Sequence, residues 1–287
     1  MLKFCTLFSG SSGNSVFIGS GNTRLLIDAG VTAKAIGQEL FNIGEDPAKL
    51  NAVLITHEHI DHIRGAGVLS RKYGLKIAAN QRTWRAMDQL IGKTEPENRI
   101  IIGDSGSFHV GDLEICPFPV PHDAADPTGY TVSDGCHRIT VATDTGYISP
   151  SLAEHLEGSD AVLIEANHDI RMLERGPYPQ ALITRIKGDH GHLSNISCGE
   201  LASKLALGGT RAIILGHLSS ENNLPEVAYG TVRRAMESAG ISVIDPADEI
   251  RPEFFTCACT RSDGSVNTSE AGLIIAPRYG HSKVIFI

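Results

Sequence analysis

A chain of 287 residues, 41% hydrophobic and 20% charged, can build one large core or two small ones, and its composition excludes a disordered or fibrous protein. Its formal net charge of −8 excludes adhesion to nucleic acid through bulk charge, leaving a local basic groove or bound cations as the means of attracting phosphates. Six scattered cysteines read as reduced thiols, and no stretch approaches the ~20 apolar residues of a membrane span, so a cytoplasmic protein with no membrane partner is expected.

The opening MLKFCTLF imitates a signal peptide, but its apolar run is short and dissolves into SGSSGNS, which fits a first strand. KFCTLF, SVFIG and RLLIDAG read as three strands joined by Gly/Ser/Asn turns. Thr32 caps an expected helix to Phe41. AVLIT is a strand, and one helix is expected from Asp61 towards Tyr73. KIAAN is a strand, Gln81 to Ile91 a helix, and RIII and DLEICPFPV are strands. GYTVS and HRITVATD form a hairpin around Asp134-Gly135, followed by a helix near Ser151 to Glu157 and the buried strand AVLIEAN. Ser194 to Leu207 is a capped helix, AIILGHLS a buried strand, and Pro225 to Ala239 a helix. Beyond Pro252 no register can be read. No second cysteine pair joins Cys257 and Cys259 to complete a zinc site, so they read as packing residues. No linker divides the chain.

Strand and helix signals alternate, and polar residues gather where apolar runs end, which points to sheets with helices packed outside them. The densest such ending is THEHIDH. His57 and His59 are two apart and project to one side of an extended loop, whereas Asp61 and His62 diverge unless the backbone turns into a helix there. Two histidines on one metal and an Asp/His pair on a neighbouring metal satisfy that spacing. Imidazole and carboxylate are ligands of zinc, iron or manganese. A single histidine would read as a surface residue, but this clustering does not. Further candidates close later apolar runs: His122 after ICPFPVP, Asp144 after TVAT and His217 after AIILG. A carboxylate at Asp144 can bridge two metals, with His122 completing one site and His217 the other.

HEHIDH with the later His122, Asp144 and His217 resembles the metallo-β-lactamase superfamily, whose pattern is H-x-H-x-D-H followed by His, Asp and His. The match in order and strand-end placement runs over residues 1–220. The resemblance implies an α/β fold, a four-layer αβ/βα sandwich of two mixed β-sheets with helices on both outer faces. Residues 1–287 then form a single domain with pseudo-halves near 1–120 and 121–250 and a tail, 251–287, without an assigned role. Two divalent ions per chain (Zn, Mn or Fe) are implied, one held by His57, His59 and His122, the other by Asp61, His62 and His217, with Asp144 bridging.

Histidine at position 62, with no cysteine as a second-metal ligand, departs from true β-lactamases, and histidine at 59 departs from flavo-diiron oxygen reductases. FSGSSGNS, PHDAADPTGY, EANHD, GDHGHLSN and LGHLSSENN resemble the YycJ (WalJ) group. That group implies a cytoplasmic exonuclease acting 5′ to 3′ on the ends of duplex DNA. In the same frame His192, just before a capped helix, is similar to the second-sphere histidine of superfamily ribonucleases. It would bind a phosphate oxygen or protonate the leaving oxygen. Glu165 would orient His192, and Asp61 the nucleophile. Ser11, Ser12, Asn14 and His168 are the implied substrate-binding residues, against the plainer reading of Ser11–Asn14 as a tight turn. Arg82, Arg85, Arg171, Arg175 and Arg185 either line a DNA groove or are solvated helix charges.

The rivals are an RNA-processing nuclease, a thioester or lactone hydrolase of the glyoxalase II kind, and a metal-binding regulatory module without turnover. The seven-ligand set disfavours the last. A hydrolase of the glyoxalase II kind would carry a long helical C-terminal domain, and tRNase Z a Gly/Pro-rich arm. Neither is visible, and the sequence carries no signal for an oligomeric state.

Overall fold

The computed structural model describes residues 1–103, 106–244 and 270–287, which places Cys257 and Cys259 outside the described residues. The chain folds as two units. The first comprises Met1–Pro119, Ala124–Tyr130 and Pro277–Phe286, the second Val120–Asp123, Thr131–Ala276 and Ile287.

In the first unit β1 (Lys3–Phe8), β2 (Ser15–Gly19) and β3 (Arg24–Ile27) run antiparallel, and β4 (Ala52–Leu54), β5 (Lys76–Asn80) and β6 (Arg99–Ile102) continue the sheet in parallel. β15 (Ile285–Phe286) pairs antiparallel with β1 at the other edge. Parallel neighbours need crossover connections. These are α1 (Ala33–Asn42) after β3, α2 (Ile60–Ile63) and α3 (Ala66–Tyr73) after β4, and α4 (Gln81–Ile91) after β5. Thr32 caps α1 and Asn80 caps α4, each accepting a backbone N–H. Leu26, Val53 and Ile77 of the sheet pack with Ile36, Leu40, Leu69, Trp84 and Met87 of these helices in one core. β7 (Phe108–Val110) and β8 (Leu113–Pro119) form a hairpin.

The single helix expected from Asp61 to Tyr73 is in fact two. The break falls at Gly65, whose N–H donates to Ala29 O (2.7 Å) and where a Cβ would overlap the carbonyl oxygen of Val31.

In the second unit the strand order is β13 (Ser242–Ile244), β14 (Glu270–Ile275), β12 (Ala212–Gly216), β11 (Ala161–Glu165), β10 (Arg138–Ala142), β9 (Thr128–Ser133), with Thr131–Ser133 of β9 in this unit. Every pairing from β10 across to β13 is parallel. β11 and β12 are buried throughout, as strands covered on both faces must be. The helices are α5 (Pro150–Leu156), α6 (Ile170–Arg175), α7 (Gln180–Lys187), α8 (Asn195–Leu207) and α9 (Pro225–Ser238). Sequence reading missed α6 and α7, short helices held by a small cluster of Leu173, Ile183 and Ile186. It also found no register beyond Pro252, yet Glu270–Ile275 inserts between β12 and β13 as β14. No helix among the described residues is long and apolar enough to cross a membrane.

Candidate metal centre

In each unit the candidate residues lie beyond the carboxyl ends of parallel strands: Thr56 to His62 after β4 in the first, and Asp144 after β10, Glu165 at the end of β11 and His217 after β12 in the second. Loops there are aimed by a rigid sheet. Among the described residues three non-glycine positions have positive φ: Asp28 (62°), Asp144 (56°) and His217 (52°). Asp28 lies on the loop after β3, and Asp144 and His217 on the loops just named. Left-handed backbone on residues that carry a Cβ costs energy and concentrates where side-chain aim matters.

In the first unit the loop after β4 is pinned on both sides. Thr56 donates its N–H to Asp28 Oδ1 and its hydroxyl to Asp28 Oδ2, both at 2.8 Å. With that proton committed, Thr56 Oγ1 accepts from His57 Nδ1 at 3.0 Å, which turns the lone pair of His57 Nε2 outward. His62 Nδ1 donates to Asp28 Oδ2 at 2.7 Å, so its ligand atom is Nε2. Burial pushes the Asp28 carboxyl up, and the charge and hydrogen bond of His62 oppose that. Asn14 Nδ2 lies 3.0 Å from His62 Nε2 and 3.4 Å from Asp61 Oδ2, while Asn14 Oδ1 accepts from Gly10 N at 2.8 Å. Gly30 is required beside this brace, since a Cβ there would overlap the Asp61 carbonyl oxygen. Ser11 and Ser12 sit on the neighbouring turn, Ser11 exposed. Glu58 faces elsewhere and accepts from Ala125 N at 2.8 Å.

In the second unit Glu165 is the hub. Its Oε1 accepts from His192 Nδ1 (2.8 Å) and His217 Nδ1 (2.7 Å), and its Oε2 from the N–H groups of Thr145 (2.8 Å) and Leu193 (3.2 Å). Burial raises the Glu165 carboxyl, but the charge and hydrogen bond of His192 and the hydrogen bond of His217 outweigh it and hold the group at about 2. Burial likewise opposes charging of His192, yet Glu165 raises its pKa. Asp144 Oδ1 lies 3.3 Å from His217 Nδ1 and 4.0 Å from His122 Nε2. His122 stacks obliquely on His192 with ring centroids 5.1 Å apart, and burial lowers its pKa. The turn carrying His192 is held by α7: His192 N donates to Ile186 O at 2.9 Å, and a Cβ at Gly191 would overlap that carbonyl oxygen.

The donors fit a divalent cation. His57 Nε2 and His59 Nδ1 face each other at 3.1 Å, close to the ~3.3 Å that separates two imidazole nitrogens on one tetrahedral zinc. Asp144, Glu165, His192 and His217 each offer a ligand atom within 4.8 Å of the others. Of the seven residues expected to hold metal, His57, His59, Asp61 and His62 lie in the first unit and His122, Asp144 and His217 in the second. His168 does not join the second cluster. It is 2% exposed, its backbone carbonyl accepts from Asn195 N at 2.9 Å, and burial lowers its pKa to about 4.

Sequence reading missed Asp28, Thr56 and Asn167. Asn167 donates to His217 O at 2.9 Å and supports its left-handed backbone. Asp28 closes the apolar run RLLI just as the recognised candidates close theirs, so its signal was present.

A family model described as the β-lactamase superfamily domain matches residues 23–218. The chain is 42% identical to an exodeoxyribonuclease WalJ of Streptococcus pneumoniae over 84% of its own length and 90% of that protein's. It is 39% identical to an exodeoxyribonuclease YycJ of Bacillus anthracis, over 84% and 92%. The metallo-β-lactamase fold protein YhfI of Bacillus subtilis superposes with a TM-score of 0.68 at 16% identity, covering 98% of each chain, which identifies the fold.

Proposed function

The chain belongs to the metallo-β-lactamase superfamily, and from that premise we propose that it is a metal-dependent phosphodiester hydrolase, an exonuclease that degrades double-stranded DNA from 5′ ends. The reading rests above all on the carboxylate–imidazole cluster in which buried Asp144, Glu165 and His217 surround the half-buried His192. The names of relatives 39–42% identical over most of the chain support the nuclease class. Its metal ligands are His57, His59, Asp61 and His62 of the first unit and His122, Asp144 and His217 of the second, serving two divalent ions (zinc, manganese or iron). When bound, these ions neutralise phosphate charge and acidify the attacking water to a pKa of about 7.

The chain's own residues divide the remaining work. Asp61, braced by Asn14, accepts a hydrogen bond from the nucleophile and fixes its direction. Glu165 engages Nδ1 of His192, so the imidazole presents Nε2 to substrate. Glu165 raises the pKa of His192, which favours the protonated imidazole needed to donate to the leaving oxygen. Ser11 and Ser12 supply hydroxyl groups for phosphate oxygens, and Asn14, whose amide is turned to His62 and Asp61, supports their turn from behind. His168 is proposed to act from behind, through the Asn195 amide that fastens the start of α8. None of Cys5, Cys116, Cys136 and Cys198 is disulfide-bonded, and we place the enzyme in the reducing cytoplasm.

The test is stepwise digestion of a 5′-phosphorylated duplex by manganese-loaded protein, with resistance when both 5′ ends are blocked. RNA and S-lactoylglutathione are the competing substrates. Rapid cleavage of S-lactoylglutathione or a lactone, with no action on DNA under several metals, overturns the proposal.

A further inference from the structure

Arg171 and Arg175 lie four residues apart on α6, so both guanidinium groups stand on one face of a helix only six residues long. Like charges at that spacing weaken a helix, and the chain as a whole is acidic. Neither arginine takes part in an ion pair among the described residues. Three other exposed cations of the same unit are paired: Arg185 with Asp123, Lys187 with Glu174 and Arg233 with Glu237. The two arginines, with Met172, Gly176 and Glu221, line an open pocket of about 380 Å³. Glu221 shares the pocket but pairs with neither.

The pocket's place in the unit gives it meaning. α6 starts at the loop that leaves Glu165, with Asp169 capping it through Met172 N at 2.9 Å. Glu221 sits on the loop that leaves His217. These two loops are stitched together by Ser219 N to Asn167 O (2.8 Å) and Asp169 N to Asn222 O (2.9 Å). Buried Leu173 anchors α6 against Ile183 and Ile186. The guanidinium pair therefore rides on the same rigid loops as the catalytic cluster, offering two planar donor forks to an oxyanion.

We propose that Arg171 and Arg175 form a phosphate-gripping site for the backbone of the nucleic-acid substrate, away from the scissile bond. This rests on the nuclease reading. The site reads charge and not sequence, and the pocket is large enough for a phosphate with its sugar. Each phosphate contact releases counterions, so each makes affinity steeper in salt by about 0.9 on a log–log scale for duplex DNA.

The test measures binding of a phosphorothioate-ended fluorescent duplex by anisotropy across a potassium chloride series, for the full chain and for Arg171→Gln/Arg175→Gln. The expected result is weaker binding and a salt slope shallower by about 1–2, with the slope retained in Arg171→Lys/Arg175→Lys. Turnover of bis(p-nitrophenyl) phosphate, which has no backbone to grip, should stay at the parent level. An unchanged slope and affinity in a double variant whose parent degrades DNA overturns the arginine site alone. A parent that neither binds nor degrades any nucleic acid overturns the nuclease reading first, and this site with it.

Discussion

His62 and Asp28 form a buried pair, with Nδ1 of the imidazole 2.7 Å from Oδ2 of the carboxylate and both side chains shielded from solvent. The pair fixes which nitrogen of His62 carries the proton, and so which one is left to face a metal. Thr56 bonds to the same carboxylate and passes the same constraint to His57. One aspartate thus sets the tautomers of two candidate ligands.

Asp28→Asn is the sharpest probe of that relationship. Its amide can donate to His62 Nδ1 and move the ring proton to Nε2, the wrong tautomer for ligation. Metal affinity should fall about 10–100-fold, read by competition with a chromophoric chelator, while the circular dichroism spectrum stays that of the parent. Asp28→Ala should in addition cost about 3–5 kcal/mol of stability in urea, because it leaves His62 buried without its partner.

Asp144→Ala removes a carboxylate that lies between His122 and His217. Elemental analysis of the purified variant should find at least one metal ion fewer per chain than in the parent, with hydrolysis nearly abolished. Full metal content would exclude Asp144 as a ligand.

His192→Ala and Glu165→Gln separate substrate chemistry from positioning. If His192 serves the leaving group, its alanine variant keeps metal and loses ~10²–10⁴-fold in kcat. Glu165→Gln should be the more disruptive change, since the same oxygen that holds His192 also holds His217. It should therefore lower metal occupancy as well as rate. The double variant should be no slower than Glu165→Gln alone, because effects through one imidazole do not add. Metal loss in His192→Ala would make that residue a ligand.

His168 predicts an acid-labile fold. Burial lowers its pKa from 6.5 to about 4, so below 6.5 the unfolded chain binds a proton that the folded chain refuses. The stability linked to this group is complete above pH 6.5 and is lost as pH falls towards 4. It amounts to about 3 kcal/mol at most. Urea denaturation of the parent and of His168→Gln at pH 7, 5 and 4 should show the gap between them closing, or reversing, as pH falls. A gap independent of pH would show that His168 is not held neutral by the fold.

Much of the site was legible in the sequence because its signal is local. An apolar run that ends in His, Asp or Glu places a strand in the core and its last polar side chain at the sheet's end, and His57, Asp144, Glu165 and His217 all announce themselves this way. The caps of α1 and α8 are equally local, a hydroxyl meeting an amide three residues on. Only the tertiary structure decided what depends on residues far apart in the chain. Asp28 reaches His62 across 34 positions, Glu165 takes up His217 across 52, and the helix breaks where the N–H of Gly65 leaves the helical ladder for Ala29 O, at a place where the backbone of Val31 leaves no room for a side chain. The segments α6, α7 and β14 escaped sequence reading for the same reason. Their periodicity is too short to register, and burial against neighbours that no local window contains is what makes them helix or strand.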